Sequence, residues 1–208
     1  AGEWEGLELA PGVGLGVLVE VEASYEKQGD EDRSDVNVST FEVGLDAEPM
    51  EGVRGEAALL WEEGSSDSPD VDVAFIELGG TEAMPVTVSA GRMYLPFGAF
   101  NSFMISDPLT LELGETRETT VALSGEWRKF TAWAGAFAGE LDNVDQIENA
   151  AAALTYSPMT GLTMGVSILA DLGEGGGYVD DLNEVLASEG VYDKVAGFSA
   201  FFLLERGA

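Results

Sequence analysis

The sequence predicts an all-β fold: an antiparallel up-and-down transmembrane β-barrel, with about ten strands in this segment and the remainder of a larger barrel beyond it. Three observations predict it. Apolar residues recur at every second position along most of the chain, the period of a strand with one apolar face. The first such run, residues 13–25, is about thirteen residues long, well beyond the ~5–6 usual for a strand in a soluble domain. Short and long connections alternate between the runs, so a meander collects its tight turns at one end and its long loops at the other, as in outer-membrane barrels.

The elements follow in order. In residues 13–25, Val13, Leu15, Val17, Val19, Val21, Ala23 and Tyr25 alternate with Glu20, Glu22 and Ser24. A polar link around residues 30–35 precedes a second strand, in which Phe41, Val43, Leu45 and Ala47 alternate with Thr40, Glu42, Gly44, Asp46 and Glu48. After the short turn 49–52, Val53, Gly55, Ala57, Leu59 and Trp61 face away from Arg54, Glu56 and Glu62 in a third. Residues 71–78 form a fourth with a less regular period, and residues 86–97 a fifth. In the sixth, Thr119, Val121, Leu123, Gly125 and Trp127 alternate with Glu118, Thr120, Ala122, Ser124 and Glu126. The very tight link Arg128-Lys129 leads to a seventh at 130–139, rich in Ala and aromatics. Residues 149–156 read as an eighth strand or a short helix, because an Ala run blurs the period. Leu162, Met164, Val166, Ile168 and Ala170 mark the ninth, and residues 195–204 the tenth. All belong to a single barrel domain spanning 1–208, and the closing Glu205-Arg206-Gly207-Ala208, with no terminal aromatic, suits the N-terminal portion of a longer barrel.

Composition removes several function classes. The chain carries 39 acids against 9 bases, a formal charge of -30, which repels nucleic acid and favours cationic partners or divalent ions. It has no Cys and no His, so a Ser-His-Asp triad, a thiolate site and the usual zinc sites are excluded. Paired carboxylates are too common for any pair to mark a general acid and base, and no catalytic constellation emerges; the chain reads as a non-enzyme. No apolar run is long enough for a transmembrane helix, which leaves strands as the only means of crossing.

If the apolar face meets lipid, the other face lines a wet lumen. That face carries Glu20, Glu22, Glu42, Asp46, Glu48, Arg54, Glu56, Glu62, Asp72, Glu118, Glu126 and Asp171. A charge turned to mid-membrane hydrocarbon costs ~2–4 kcal/mol for a base and less for an acid, whereas in water it costs almost nothing. Tyr25, Trp61, Trp127, Phe130, Trp133 and Tyr156 fall near strand ends, as interfacial girdles or as ordinary core aromatics.

The stretch "GRMYLPFGAFNSFMISDPLTLELGETRET" is a long, half-apolar connection between two strands. Together with "VDVAFIELG" and "GVLVEVEASYEKQGDEDRSDVNVSTFEVGLDAE" it resembles the LbtU-type siderophore porin family of bacterial outer membranes. The likeness runs over nearly the whole chain and is most specific from Tyr94 to Glu118. It implies a single-chain barrel longer than this sequence that carries small solutes, ferric siderophores among them, without a dedicated plug domain. The 98–117 connection then resembles the inward-folded constriction loop of general porins. Phe97, Phe100, Phe103, Met104, Ile105 and Leu109 would anchor it, and Asp107, Glu112, Glu115 and Glu118 would face an eyelet opposed by Arg54, Arg92 and Arg117, with Glu56 on the same lining. An extracellular cap with solvated acids is the other reading of the same loop.

The remaining expectations concern partners. A lipid bilayer, lipopolysaccharide and small solutes are the expected partners at a bacterial outer membrane, with a homotrimer as the porin-like assembly and no nucleic acid. No organic cofactor is expected. Acid-rich stretches at 30–35, 65–72, 142–145 and 180–181 are solvated loops or hold Ca²⁺ or Mg²⁺, although none has the EF-hand spacing. Gly173-Glu-Gly-Gly-Gly177 reads as a flexible linker, and 178–188 as a short amphipathic helix. The competing function is a soluble or secreted acidic β-protein that binds divalent cations or joins an extracellular assembly.

Overall fold

Eleven strands make up nearly all the regular structure of the computed structural model, which describes residues 7–29, 31–64, 68–99, 111, 114–139, 141, 146–174, 178–179 and 193–204. They form one antiparallel up-and-down sheet in chain order: β1 (Leu7–Ala10), β2 (Val13–Gln28), β3 (Glu31–Met50), β4 (Val53–Glu62), β5 (Asp70–Gly79), β6 (Val86–Tyr94), β7 (Arg117–Trp127), β8 (Phe130–Phe137), β9 (Asn149–Met159), β10 (Leu162–Leu169) and β11 (Gly197–Leu204). The all-β, up-and-down expectation is met. The extra strand is β1, too short to show a period, which pairs with β2. Residues 149–159 are strand and not helix: the β8 and β10 ladders on either side take up the backbone groups of the Ala run. No helix among the described residues is long and apolar enough to cross a membrane. The chain divides into two compact units, Ala1–Ile76 and Glu77–Ala208.

In the first unit the β2–β3 hairpin corrects the sequence reading. The polar link expected at 30–35 is mostly strand, because β2 and β3 stay paired from Val13↔Ala47 to Gln28↔Glu31. Gly29, at φ 68°, supplies the left-handed residue of the reversal. β2 and β3 are 16 and 20 residues long, whereas about 9–11 suffice to cross a bilayer. A bulge divides the hairpin: Glu20 pairs with Thr40 but Val21 pairs with Val38, so Ser39 is the extra residue. Past it β3 changes phase, and Val38 and Val36 join Val21 and Ala23 on one face. Without the bulge, Asn37 would take that place.

In the second unit short and long connections alternate. Residues 128–129 and 160–161 are two-residue turns and 80–85 is brief, whereas 95–116, 138–148 and 170–196 are long. Register and exposure together sort the faces. Along β7, Thr120 is 1% exposed, Val121 56%, Ala122 2% and Leu123 55%. The exposed face is the apolar one. Val88, Leu123, Ala134, Ala152, Ile168 and Phe198 stand in one cross-strand row on it, and Trp127, Phe130, Tyr156, Met164 and Phe202 in another. The covered face carries Ser89, Thr120, Ser167, Asn149, Ala122, Ala151, Phe137 and Leu169, all buried. Aromatics lean over glycines there: the Phe201 ring lies on Gly165, its direct partner across β10–β11, and leaves no room for a Cβ.

Candidate pore-lining face

The polar face of the first unit is built by parity. Gly14, Asp46 and Glu56 stand side by side on β2, β3 and β4, followed by Gly16, Gly44 and Ala58 and then by Leu18, Glu42 and Leu60. A Cβ at Gly14 would collide with the Asp46 carboxylate, so the glycine makes the space the acid occupies. Asp46 and Glu56 are direct cross-strand partners of like charge, which disfavours the pair by ~0.2–1 kcal/mol. Arg54, two residues from Glu56 and on the same face, offsets this. Its Nη2 donates to Glu56 Oε2 at 2.8 Å, and its guanidinium lies 5.9 Å from the centre of the Phe75 ring. Glu56 is 8% exposed, whereas the Arg54 side chain is half exposed. On β5 the phase is irregular, as its sequence suggests: Asp72 and Val73 are both buried although they are adjacent.

In the second unit Glu118, 5% exposed, shares the covered face with Thr120 and Thr116. Ser89 Oγ donates to Glu77 Oε1 at 3.1 Å on the same side. A second polar cluster lies near the long connections. Asn149 Nδ2 donates to Glu174 Oε1 at 3.0 Å, Lys194 Nζ donates to Asn149 Oδ1 at 3.2 Å, and Lys194 stands 3.6 Å from Glu148. Asp171 Oδ1 accepts from the backbone N–H groups of Gly173 and Val195 at 3.1 and 3.3 Å, pinning both ends of the 170–196 connection. Glu174 is buried in a 3-10 turn, Leu172–Glu174, so the start of the expected Gly-rich linker is anchored.

The described members of the expected constriction set fall on both parities of their strands. Arg54 and Glu56 are in contact as described. Arg92 pairs with Thr119 and Arg117 with Tyr94, both out of phase with the Met93↔Glu118 pair. Both arginines therefore share the parity of Ala90 and Val121, not that of Glu118. Adjacent positions of one strand cannot share a face of a regular ladder. Glu115 is half-buried and its N–H donates to the Leu111 carbonyl at 2.8 Å, one helical turn before β7. Asp107 and Glu112 lie outside the described residues, as do Phe100, Phe103, Met104, Ile105 and Leu109, the acidic stretch 142–145 and nearly all of 178–188.

The start of the long connection turns inward. Leu95 N–H donates to the Thr116 carbonyl at 2.8 Å, which ties the two ends of the 95–116 segment together. Phe97 is buried, with its ring tip against Gly197 on β11, and Gly98 N–H donates to Ser167 Oγ on β10 at 2.9 Å. Ser167 and Gly197 belong to the covered face, so residues 97 and 98 reach across the strands on the inner side. Sequence reasoning missed Asn149, Glu174 and Lys194. For Asn149 a signal existed, since it opens the Ala-rich strand at the inward parity of Ala151 and Ala153. Glu174 and Lys194 sit on a long connection, where no period exists to read.

Chemically, the face carries carboxylates, hydroxyls and a few bases. Among the described residues no group of three or more His, Cys, Asp or Glu is arranged to hold a metal ion.

The chain is similar to proteins named UPF0422 protein in two bacteria. Identity to that of Legionella pneumophila strain Paris is 25% over 113 residues, 50% of this chain and 21% of the relative. For strain Lens it is 25% over 95 residues, 42% of this chain and 18% of the relative. Identity to a UPF0422 protein of Coxiella burnetii is 42% over 50 residues, 24% of this chain and 11% of the relative. The matched segments thus span about a fifth or less of each relative's own length. No protein-family profile matches the chain.

Proposed function

We propose that this chain forms wall strands of an outer-membrane porin that passes small solutes through an acidic aqueous lumen, with siderophore or iron uptake as its narrower role. The observation that carries it is the inversion of the usual burial pattern. Val121, Leu123, Val166, Phe198 and Phe202 are exposed while Glu56, Glu118, Thr120 and Asn149 are covered. In water the exposed rows would leave ~25 cal/mol unfavourable per Å² of apolar surface. They also form a contiguous patch of a kind that soluble monomers rarely present. In a bilayer the same rows are at home, and the covered acids need the wet interior of a barrel. The aromatic row from Trp127 to Tyr156, stacked at ring-centre distances of 6.2 and 4.6 Å, suits the girdle at the short-turn end.

The formal charge of -30 favours cations as permeants. Anionic ferric complexes would need a local basic patch drawn from Arg54, Arg92, Arg117, Arg128 or Lys129. The partners that accompany this function are lipid, lipopolysaccharide and small solutes, with a homotrimer as the assembly and Ca²⁺ or Mg²⁺ on carboxylates of the outer loops. The full-length protein in a planar bilayer tests it: stepwise conductance with cations preferred over anions is expected. A preference for anions overturns the acidic lumen. Ready solubility in buffer without detergent, and no heat-dependent shift in gel mobility, would instead favour a soluble acidic β-protein.

A further inference from the structure

Bases are scarce in this chain, 9 against 39 acids, yet two of them make up the whole β7–β8 turn, Arg128-Lys129. The other short connections of the same unit, 80–85 and 160–161, bring Glu82 and no base. Neither Arg128 nor Lys129 is in an ion pair among the described residues; both are held by other means. Arg128 takes a left-handed backbone, φ 57°, and its guanidinium lies 4.8 Å from the centre of the Trp127 ring. Stacking occupies the flat face of a guanidinium and leaves its edge N–H donors available. Lys129 Nζ donates to the Pro158 carbonyl at the end of β9, and an ammonium engaged there keeps further donors. Glu126, the nearest acid in sequence, pairs with Thr131 on the opposite parity from Trp127.

These cations stand one residue beyond the exposed row of Trp127, Phe130 and Tyr156. If that row marks the boundary between hydrocarbon and headgroups, the turn lies at the depth of lipid phosphates. We propose that the β7–β8 turn binds the phosphate of an anionic phospholipid, with Arg128 and Lys129 as its donors and the Trp127–Phe130 pair against the glycerol and upper acyl chain. The site rests on the membrane reading above. A protein this acidic repels anionic lipid over most of its surface, so a local cation pair determines where such a lipid can settle.

The test compares quenching of Trp127 fluorescence by brominated phosphatidylglycerol and by brominated phosphatidylcholine. The full chain is reconstituted in vesicles at equal mole fraction of the brominated lipid, and the signal of Trp127→Phe is subtracted to isolate the residue. The expected result is an apparent preference for phosphatidylglycerol of about tenfold or more. It falls to near unity in Arg128→Gln/Lys129→Gln, while quenching by phosphatidylcholine stays the same. It also shrinks in the unaltered protein as NaCl is raised, which supports the site without any variant. Equal quenching by the two lipids in the unaltered protein overturns the proposal, as does a preference that survives the double substitution. Absence of quenching by either lipid means that the row does not meet the bilayer, and removes the membrane reading together with the site.

Discussion

At Gly165 the inner face tolerates only a hydrogen atom, because the Phe201 ring from β11 covers the position and a Cβ there would overlap it. Gly197 is in a similar position, with Phe97 Cζ and Leu172 Cδ1 each 3.0 Å from where a Cβ would stand. Large aromatic rings fit on the covered face because glycines lie beneath them. Gly165→Val should therefore lower stability by about 1–3 kcal/mol through overpacking. A lower midpoint of the heat-dependent gel shift would record the loss, and Phe201→Leu added to Gly165→Val should restore part of it, since the two sites share one space. If the single variant unfolds at the same temperature as the parent protein, the ring does not rest on that glycine.

For a strand, the decisive quantity is which face a residue takes. Leu123 lies two rows from Trp127, ~13 Å along the strand, which under the proposed membrane reading is near the middle of a ~25 Å apolar band. Leu123→Arg should destabilise the protein in vesicles by about 2–4 kcal/mol in urea titrations. At a water-exposed position of a soluble protein the same change would be within ~0.5 kcal/mol, so the measurement separates the two environments. The inward connection gives a second test. Ser167→Ala removes the acceptor of Gly98 N–H, a bond with a net contribution of ~0.5–1.5 kcal/mol. Amide exchange at Gly98 should speed up several-fold, with exchange in β10 unchanged; unchanged exchange at Gly98 would show that the loop entry does not depend on this contact.

At the scale of the molecule, the proposed pore, with a charge of -30 and acids on its lining face, should be cation-selective. Glu56→Gln/Glu118→Gln should lower the cation-to-anion permeability ratio measured as a reversal potential. The ratio should also fall between ~0.1 and ~1 M KCl, as the Debye length shrinks from ~10 to ~3 Å. A ratio indifferent to both changes would mean that these carboxylates do not face the permeation path.

Much of this was legible in the chain. Strict alternation through Val17, Val19 and Val21, or through Val121 and Leu123, identifies strands and their faces, because side-chain direction in a strand has a period of two. Arg54 and Glu56 could be placed together for the same reason. The failures occur where the period breaks or gives no information. Polar residues in 31–35 look like a link, but pairing across the β2–β3 hairpin makes them strand. Charge sets Arg92 and Arg117 across an eyelet from the loop acids and Glu118, while register puts them at the other parity from Glu118. The sequence by itself therefore determined the fold class and the sorting of apolar and charged rows onto opposite faces, since both depend on local periodicity. Tertiary structure alone decided the bulge at Ser39, the seating of Phe97 and Gly98 against β11 and β10, and the Asn149–Glu174–Lys194 cluster. Each of these depends on contacts between residues far apart in the chain, which no local pattern encodes.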